Sequence, residues 1–338
     1  MERTTFEKQL AAGKLSGVYL LDGNEEYLKQ RALHRMIDTV CENALKELNS
    51  TIMENPTTDD LMAACETMPF MSEKRIVVVP DPPYLTGRSE ADEALKDYLV
   101  HVPQSCVLVF ICHGKVDARK ALVKQIAKAG TQVTYSTLEE TELNSFIRDA
   151  FKEAGKNCSV HVAAQLAFVA GSDAALLMNE IGKLVSLSGE RNEITEEDIQ
   201  AVTTRSAEYT AYEIVNAVME NKESKAFSLM RDMLSAGESR ISILAMVERQ
   251  YRMLQHVHIM RYEKKSQDQM AQLLGAKPFV VGKYLQQARA ISARQARDSV
   301  KMCVDTEYAI KSGKLNQDGA VEALLLKLFE MRAPKAQA

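Results

Sequence analysis

The chain has 338 residues, 46% hydrophobic and 26% charged, with a formal net charge of -4. That length exceeds one ordinary core and that apolar content excludes a disordered chain, so two or three folded domains are expected. Six cysteines (Cys41, Cys65, Cys106, Cys112, Cys158 and Cys303) stand apart, with no Cys-x-x-Cys pair and no Cys/His cluster. Their scatter argues against a disulfide framework and a structural zinc site, and fits a reducing cytoplasm.

In chain order, short apolar runs at 18–21, 50–53, 75–79, 106–111 and 132–135 predict strands, separated by amphipathic helix-length stretches at 25–41, 58–66, 91–100 and 116–129. This alternation is the mark of a parallel sheet flanked by helices. The runs at 76–79 and 107–111 are continuous rather than alternating, as central strands buried on both faces should be. Gly130 is placed as the residue that closes the last of these helices. After about residue 137 the strand signal stops, and a domain boundary is expected there. Helical stretches at 142–154, 160–170 and 174–188 follow, then Thr195 as a helix cap with Asp198 completing a capping-box-like pattern. Residues 205–208 read as a linker. From 209 onward apolar stripes at 214–219, 226–234, 241–258, 270–274, 279–291, 293–310 and 321–331 predict an all-helical domain with its own core.

Gly23, between the first strand and the first long helix, sits where a phosphate-binding loop would. The chemistry there is wrong for a nucleotide. A P-loop needs a second glycine before its lysine and a Ser/Thr after it, and here Leu28 and Gln30 flank Lys29. Glu25 and Glu26 also place two carboxylates at the helix N-terminus, where they would repel an anion. No bound nucleotide, metal or other cofactor is expected. No second catalytic constellation is found: the six histidines fall in separate elements, except His256 and His258, whose spacing of two puts them on different faces of a helix.

The segment Met68-Pro69-Phe70-Met71-Ser72-Glu73-Lys74 is out of character. Pro69 biases Met68 away from helical geometry, so this is a loop, yet it is apolar where loops are ordinarily polar. Either Met68, Phe70 and Met71 fold back to close the end of the sheet, or they project as a plug for a partner's pocket. Charge is uneven as well: from Lys225 onward lie 19 of the 42 Lys+Arg but only 11 of the 46 Asp+Glu. A basic last third fits nucleic acid, an acidic partner, or simply a solvated helix surface.

Taken end to end, the chain resembles the bacterial clamp-loader delta family, which is related to the AAA+ ATPases. The resemblance rests on Val18-Tyr-Leu-Leu-Asp-Gly-Asn-Glu-Glu-Tyr-Leu, Met68-Pro-Phe-Met-Ser-Glu-Lys-Arg-Ile-Val-Val-Val, Gly171-Ser-Asp-Ala-Ala-Leu-Leu-Met-Asn-Glu-Ile-Gly-Lys-Leu and Glu196-Glu-Asp-Ile-Gln-Ala-Val. It continues through Glu248-Arg-Gln-Tyr-Arg-Met-Leu, Ala276-Lys-Pro-Phe-Val-Val-Gly-Lys-Tyr-Leu-Gln-Gln-Ala-Arg and Ile310-Lys-Ser-Gly-Lys. No one of these is decisive, but they occur in order across nearly the whole chain. The resemblance implies an α/β plus all-α fold: an AAA+-like parallel-sheet domain over 1–138 without a working P-loop, a three-helix lid over 139–207, and a helical collar over 208–338 that joins a ring of five subunits.

The resemblance also implies a non-catalytic accessory subunit of a DNA-directed DNA polymerase holoenzyme. Its loop, Met68, Pro69, Phe70 and Met71 here, would enter an apolar pocket of the beta sliding clamp with Phe70 as anchor. The implied partners are that clamp, the ATPase (tau/gamma) and delta-prime subunits, and primed DNA within the complex, with no obligate homo-oligomer. Arg249, Arg252, Lys311 and Lys314 are candidates for contact with neighbouring collars or DNA. An active AAA+ ATPase, or a helical DNA-binding scaffold without a clamp, are the alternatives. No signal-peptide run opens the chain and no stretch approaches the roughly 20 apolar residues that span a bilayer, so a cytoplasmic protein without membrane contact is expected.

Overall fold

A computed structural model describes residues 3–41, 43–87, 89–276 and 278–332; Lys277, in one of the stretches quoted above, lies outside them. The chain divides into two compact units, Met1–Leu138 and Glu139–Ala338.

All five expected strands form in the first unit: β1 (Gly17–Asp22), β2 (Ser50–Ile52), β3 (Arg75–Pro80), β4 (Cys106–Ile111) and β5 (Thr131–Thr134). They make one sheet in the order β2-β3-β4-β1-β5, every neighbouring pair parallel. Its helices are α1 (Arg3–Ala11), α2 (Glu26–Val40), α3 (Lys46–Asn49), α4 (Thr58–Glu66), α5 (Pro83–Thr86), α6 (Glu93–Tyr98) and α7 (Ala121–Ala129). Strand side chains alternate between faces, so each uninterrupted apolar run serves two cores. Val77, Val79, Leu108 and Phe110 meet Leu61 of α4, Leu95 of α6 and Ile126 of α7. Ile76, Val78, Val107 and Val109 meet Phe6 and Leu10 of α1 and Leu33, Met36 and Ile37 of α2. Gly130 does end α7, but in extended rather than left-handed backbone. Glycine is needed there because an added Cβ would lie 2.2 Å from the Val18 carbonyl oxygen.

Because every strand runs the same way, segments that lead into strands share one end of the sheet and segments that leave them share the other. Asn49, before β2, and residues 67–74, before β3, lie at the amino ends; Gly23, after β1, lies at the carboxyl ends.

The second unit is helical among the described residues: α8 (Glu140–Glu153), α9 (Val160–Ala170), α10 (Ala174–Ser188), α11 (Glu196–Val202), α12 (Ala207–Met219), α13 (Glu223–Ser235), α14 (Arg240–Tyr262), α15 (Gln267–Leu274), α16 (Pro278–Gln287), α17 (Ala293–Lys311) and α18 (Gln317–Arg332). Thr195 and Asp198 form the capping box expected at α11, and Asp198 also receives Arg191 at 2.8 Å. The stretch 205–208 is not all linker: the Ser206 hydroxyl accepts from the Tyr209 amide at 3.2 Å, so α12 starts at Ala207. Val218, Leu244, Tyr251, Leu254, Leu325 and Leu328 centre a large core shared by α12, α14 and α18. Phe168 of α9 packs edge-on against Tyr209 and Tyr212 of α12 and Phe279 of α16, with ring centroids 5.3, 5.2 and 6.1 Å away. No single helix is long and apolar enough to cross a membrane among the described residues. All six cysteines are free and buried, and burial pushes the thiols of Cys112 and Cys303 up to about 12.

Candidate functional site

At the amino ends of the sheet the apolar loop projects. Met68 is 80% exposed, Phe70 53% and Met71 79%, with Pro69 half-buried between them and Leu48 and Ile52 of the adjoining α3 and β2 also exposed. The alternative in which these side chains fold back to close the sheet is not what the structure adopts. Sequence reasoning missed what holds the loop. Asn49 is fully buried; its Oδ1 accepts from the Phe70 amide at 2.7 Å and its Nδ2 donates to the Phe70 carbonyl at 2.9 Å. Both backbone groups of Phe70 are thereby satisfied by one side chain, which leaves the ring free to face solvent.

Two cations tie down the rest. Lys74 donates to the Leu15 carbonyl at 2.6 Å, and the buried Arg75 guanidinium reaches the Thr67 carbonyl at 3.3 Å and the Thr51 hydroxyl at 3.0 Å. Between these anchors Met71 sits at φ 47°. Such left-handed backbone costs an L residue on the order of 1 kcal/mol and persists where the surroundings enforce it. Replacing Asn49 with Ala is expected to lower stability by about 1–3 kcal/mol, because two groups lose their buried partner. It should also speed hydrogen exchange at the Phe70 amide at least about tenfold, the factor that corresponds to about 1.4 kcal/mol of lost protection. An unchanged exchange rate would mean that the loop is held from elsewhere.

At the opposite end of the sheet, the turn after β1 is bonded within the protein. Lys29, on the first turn of α2, is fully buried, and its ammonium donates to the carbonyls of Gly23 (2.9 Å) and Cys112 (2.6 Å) and pairs with Glu26 at 2.8 Å. Three acceptors use all three of its protons. The loop amides are engaged too: Gly23 donates to the Gly114 carbonyl at 2.8 Å and Glu25 to the Tyr135 carbonyl at 2.9 Å. Gly23, at φ 113°, is required by close approach, since a Cβ would lie 2.2 Å from the Tyr135 oxygen. Partial burial disfavours ionised Glu26, yet hydrogen bonds from Lys29, Gln30 and His113 outweigh it and hold the carboxyl below its usual range. Leu28 is half-buried against the α1/α2 side of the sheet, and Gln30 donates to Glu26 at 2.9 Å. Gly23 thus lies in the turn itself, while Leu28, Lys29 and Gln30 stand on the first turns of α2, where Lys29 and Glu26 form an ion pair. His113 bridges Glu26 (2.9 Å) and Asp81 (3.2 Å). No group of three or more His, Cys, Asp or Glu suited to a metal occurs among the described residues.

The four basic candidates of the last third are exposed but are not brought together as one free patch. Arg249 pairs with Glu208 at 2.7 Å, Arg252 with Glu248, and Lys311 with Glu307 at 2.6 Å, while Lys314 stands 5.2 Å over the Tyr308 ring. Each guanidinium or ammonium already has a local partner, which lowers the field available to a polyanion.

Comparison with known proteins agrees along the length of the chain. The family model described as DNA polymerase III, delta subunit, matches residues 19–136, and the C-terminal domain model of the same DNA polymerase III delta family matches residues 208–328. A relative in Bacillus subtilis (strain 168), DNA polymerase III subunit delta, is 29% identical over 332 residues, 96% of each chain. The solved Bacillus subtilis DNA clamp loader delta protein superposes with a TM-score of 0.57 at 28% identity, covering 97% of this chain and 99% of that one.

Proposed function

Since this chain belongs to the DNA polymerase III delta-subunit family, we propose that it is a clamp-loader subunit that binds the beta sliding clamp through Met68, Pro69, Phe70 and Met71 and helps open the ring for loading on primed DNA. The observation that carries this reading is the exposed Phe70 ring on a backbone locked by the buried Asn49. Anchors that are apolar, exposed and already ordered lose little entropy when a pocket closes on them.

The chain performs no chemistry of its own in this reading. The buried Lys29 ammonium supports that, because a phosphate oxygen could reach it only by displacing one of the three acceptors that already bond it. Nucleotide binding would belong to the ATPase (tau/gamma) subunits, which with delta-prime would adjoin this one in the ring. In this assignment residues 1–138 carry the clamp-binding loop, 139–207 form the lid and 208–338 the collar. Ring opening requires that the loop fit the open clamp better than the closed one, since a ligand shifts a conformational balance only by its differential affinity.

The test is a calorimetric titration of the full chain with the sliding clamp at two temperatures. Saturable binding with a negative heat-capacity change, the sign of apolar burial, is expected. The double variant Met68→Ser/Met71→Ser should bind at least about tenfold more weakly, because each methionine has most of its roughly 1.5–3 kcal/mol of burial still to gain. Absence of saturable binding, or equal binding by the variant, would overturn the reading.

A further inference from the structure

The cations expected to meet neighbouring collars or DNA each have a local partner, but the structure leaves another group unpaired. At the C-terminal end of α14 and in the turn after it, Arg261, Lys264 and Lys265 have no acidic partner among the described residues, although Arg249 and Arg252, earlier on the same helix, each have one. Glu263 is the one carboxylate in the stretch 259–266. Tyr262, in their midst, is 91% exposed, and Ile259, one turn before it on the same face, is 48% exposed. The orientation follows from packing. Met260 turns inward against Met270, Ala271 and Val281, and two residues further along a helix lies about 200° around the axis, so Tyr262 faces away from that core.

The turn is held in place. The amides of Lys264 and Lys265 donate to the carbonyls of Arg261 and Met260 at 3.0 Å each, and Lys264 takes φ 56°, a position where glycine is favoured. A lysine at a glycine position and a tyrosine in open water have no packing role. From this we infer that the 261–265 turn is a contact for single-stranded DNA, with Arg261, Lys264 and Lys265 on consecutive phosphates and a base stacked on Tyr262. Cations beside an exposed aromatic face suit a single strand, whose bases are free to stack, better than a duplex, whose bases are already stacked. This site is separate from the apolar loop and does not rest on clamp binding.

The test uses the full chain and a fluorescent single-stranded DNA of about 30 nucleotides, long enough to exceed the footprint of one such surface, with a duplex of equal length as comparison. Anisotropy should show preference for the single strand and a log K against log salt slope of about -2, as three phosphate contacts imply. Tyr262→Ala should weaken single-strand binding roughly five- to hundredfold, the worth of one stacked base, and leave duplex binding unchanged. Lys264→Glu/Lys265→Glu should flatten the salt slope to about -1 or less. The substituted side chains lie outside the apolar core, so an unchanged thermal midpoint is the folding control. No single-strand binding at low salt, equal affinity for duplex, or variants that bind as the parent chain does would overturn the inference. Clamp titration of the same preparations reports on the apolar loop alone.

Discussion

Phe70→Ala is expected to lower affinity for the sliding clamp about 30- to 150-fold, which corresponds to about 2–3 kcal/mol for a truncated aromatic anchor at the centre of an interface. The loss should appear in the dissociation rate, because the encounter depends on charge and shape that the substitution leaves alone. Stability should hardly change, since the ring is 53% exposed and its backbone remains bonded to Asn49. Surface plasmon resonance with the immobilised clamp, alongside urea unfolding, separates the two effects. An affinity within about twofold of the parent chain would place the anchor elsewhere, because even one methylene buried at the interface is worth about 0.8 kcal/mol, close to fourfold.

Lys29→Met is expected to destabilise the chain by about 3–5 kcal/mol, the usual cost of removing one partner from a buried charged network. The methionine fills the space of the lysine stem, so what is lost is the ammonium: the Gly23 and Cys112 carbonyls lose their donor, and Glu26 keeps only Gln30 and His113. Urea unfolding should show a lower midpoint with the same slope. Added ATP with magnesium should not raise the thermal midpoint of the parent chain, as any ligand of the folded state would. A change below about 1 kcal/mol on Lys29→Met would show that water replaces the ammonium at little cost, and that the buried lysine is not what holds the turn.

Whatever depends on near neighbours was legible in the sequence. The strands at 75–79 and 106–111 are marked by unbroken β-branched and aliphatic runs because both their faces are buried, and Thr195 with Asp198 marks the start of α11 because a cap and its amide are three residues apart. The strand-to-helix turn at Gly23 was also placed correctly, because an apolar run, a glycine and an amphipathic stretch follow one another within a few residues. The four-residue helices α3 and α5 left little trace, since a single turn carries too few apolar positions to show a period.

Partner identity was decided only by the tertiary structure. Asn49 meets Phe70 across 21 residues, Lys29 meets the Cys112 carbonyl across 83, and Arg249 meets Glu208 across 41. A hydrogen bond depends on distance and angle in space, and the parallel sheet brings 49 beside 70 by stacking two strands whose order cannot be read from either segment. Residue type therefore established that the loop is greasy and that the last third is basic. Which greasy side chains stay in water, and which cations stay unpaired, followed from where the folded backbone put their neighbours.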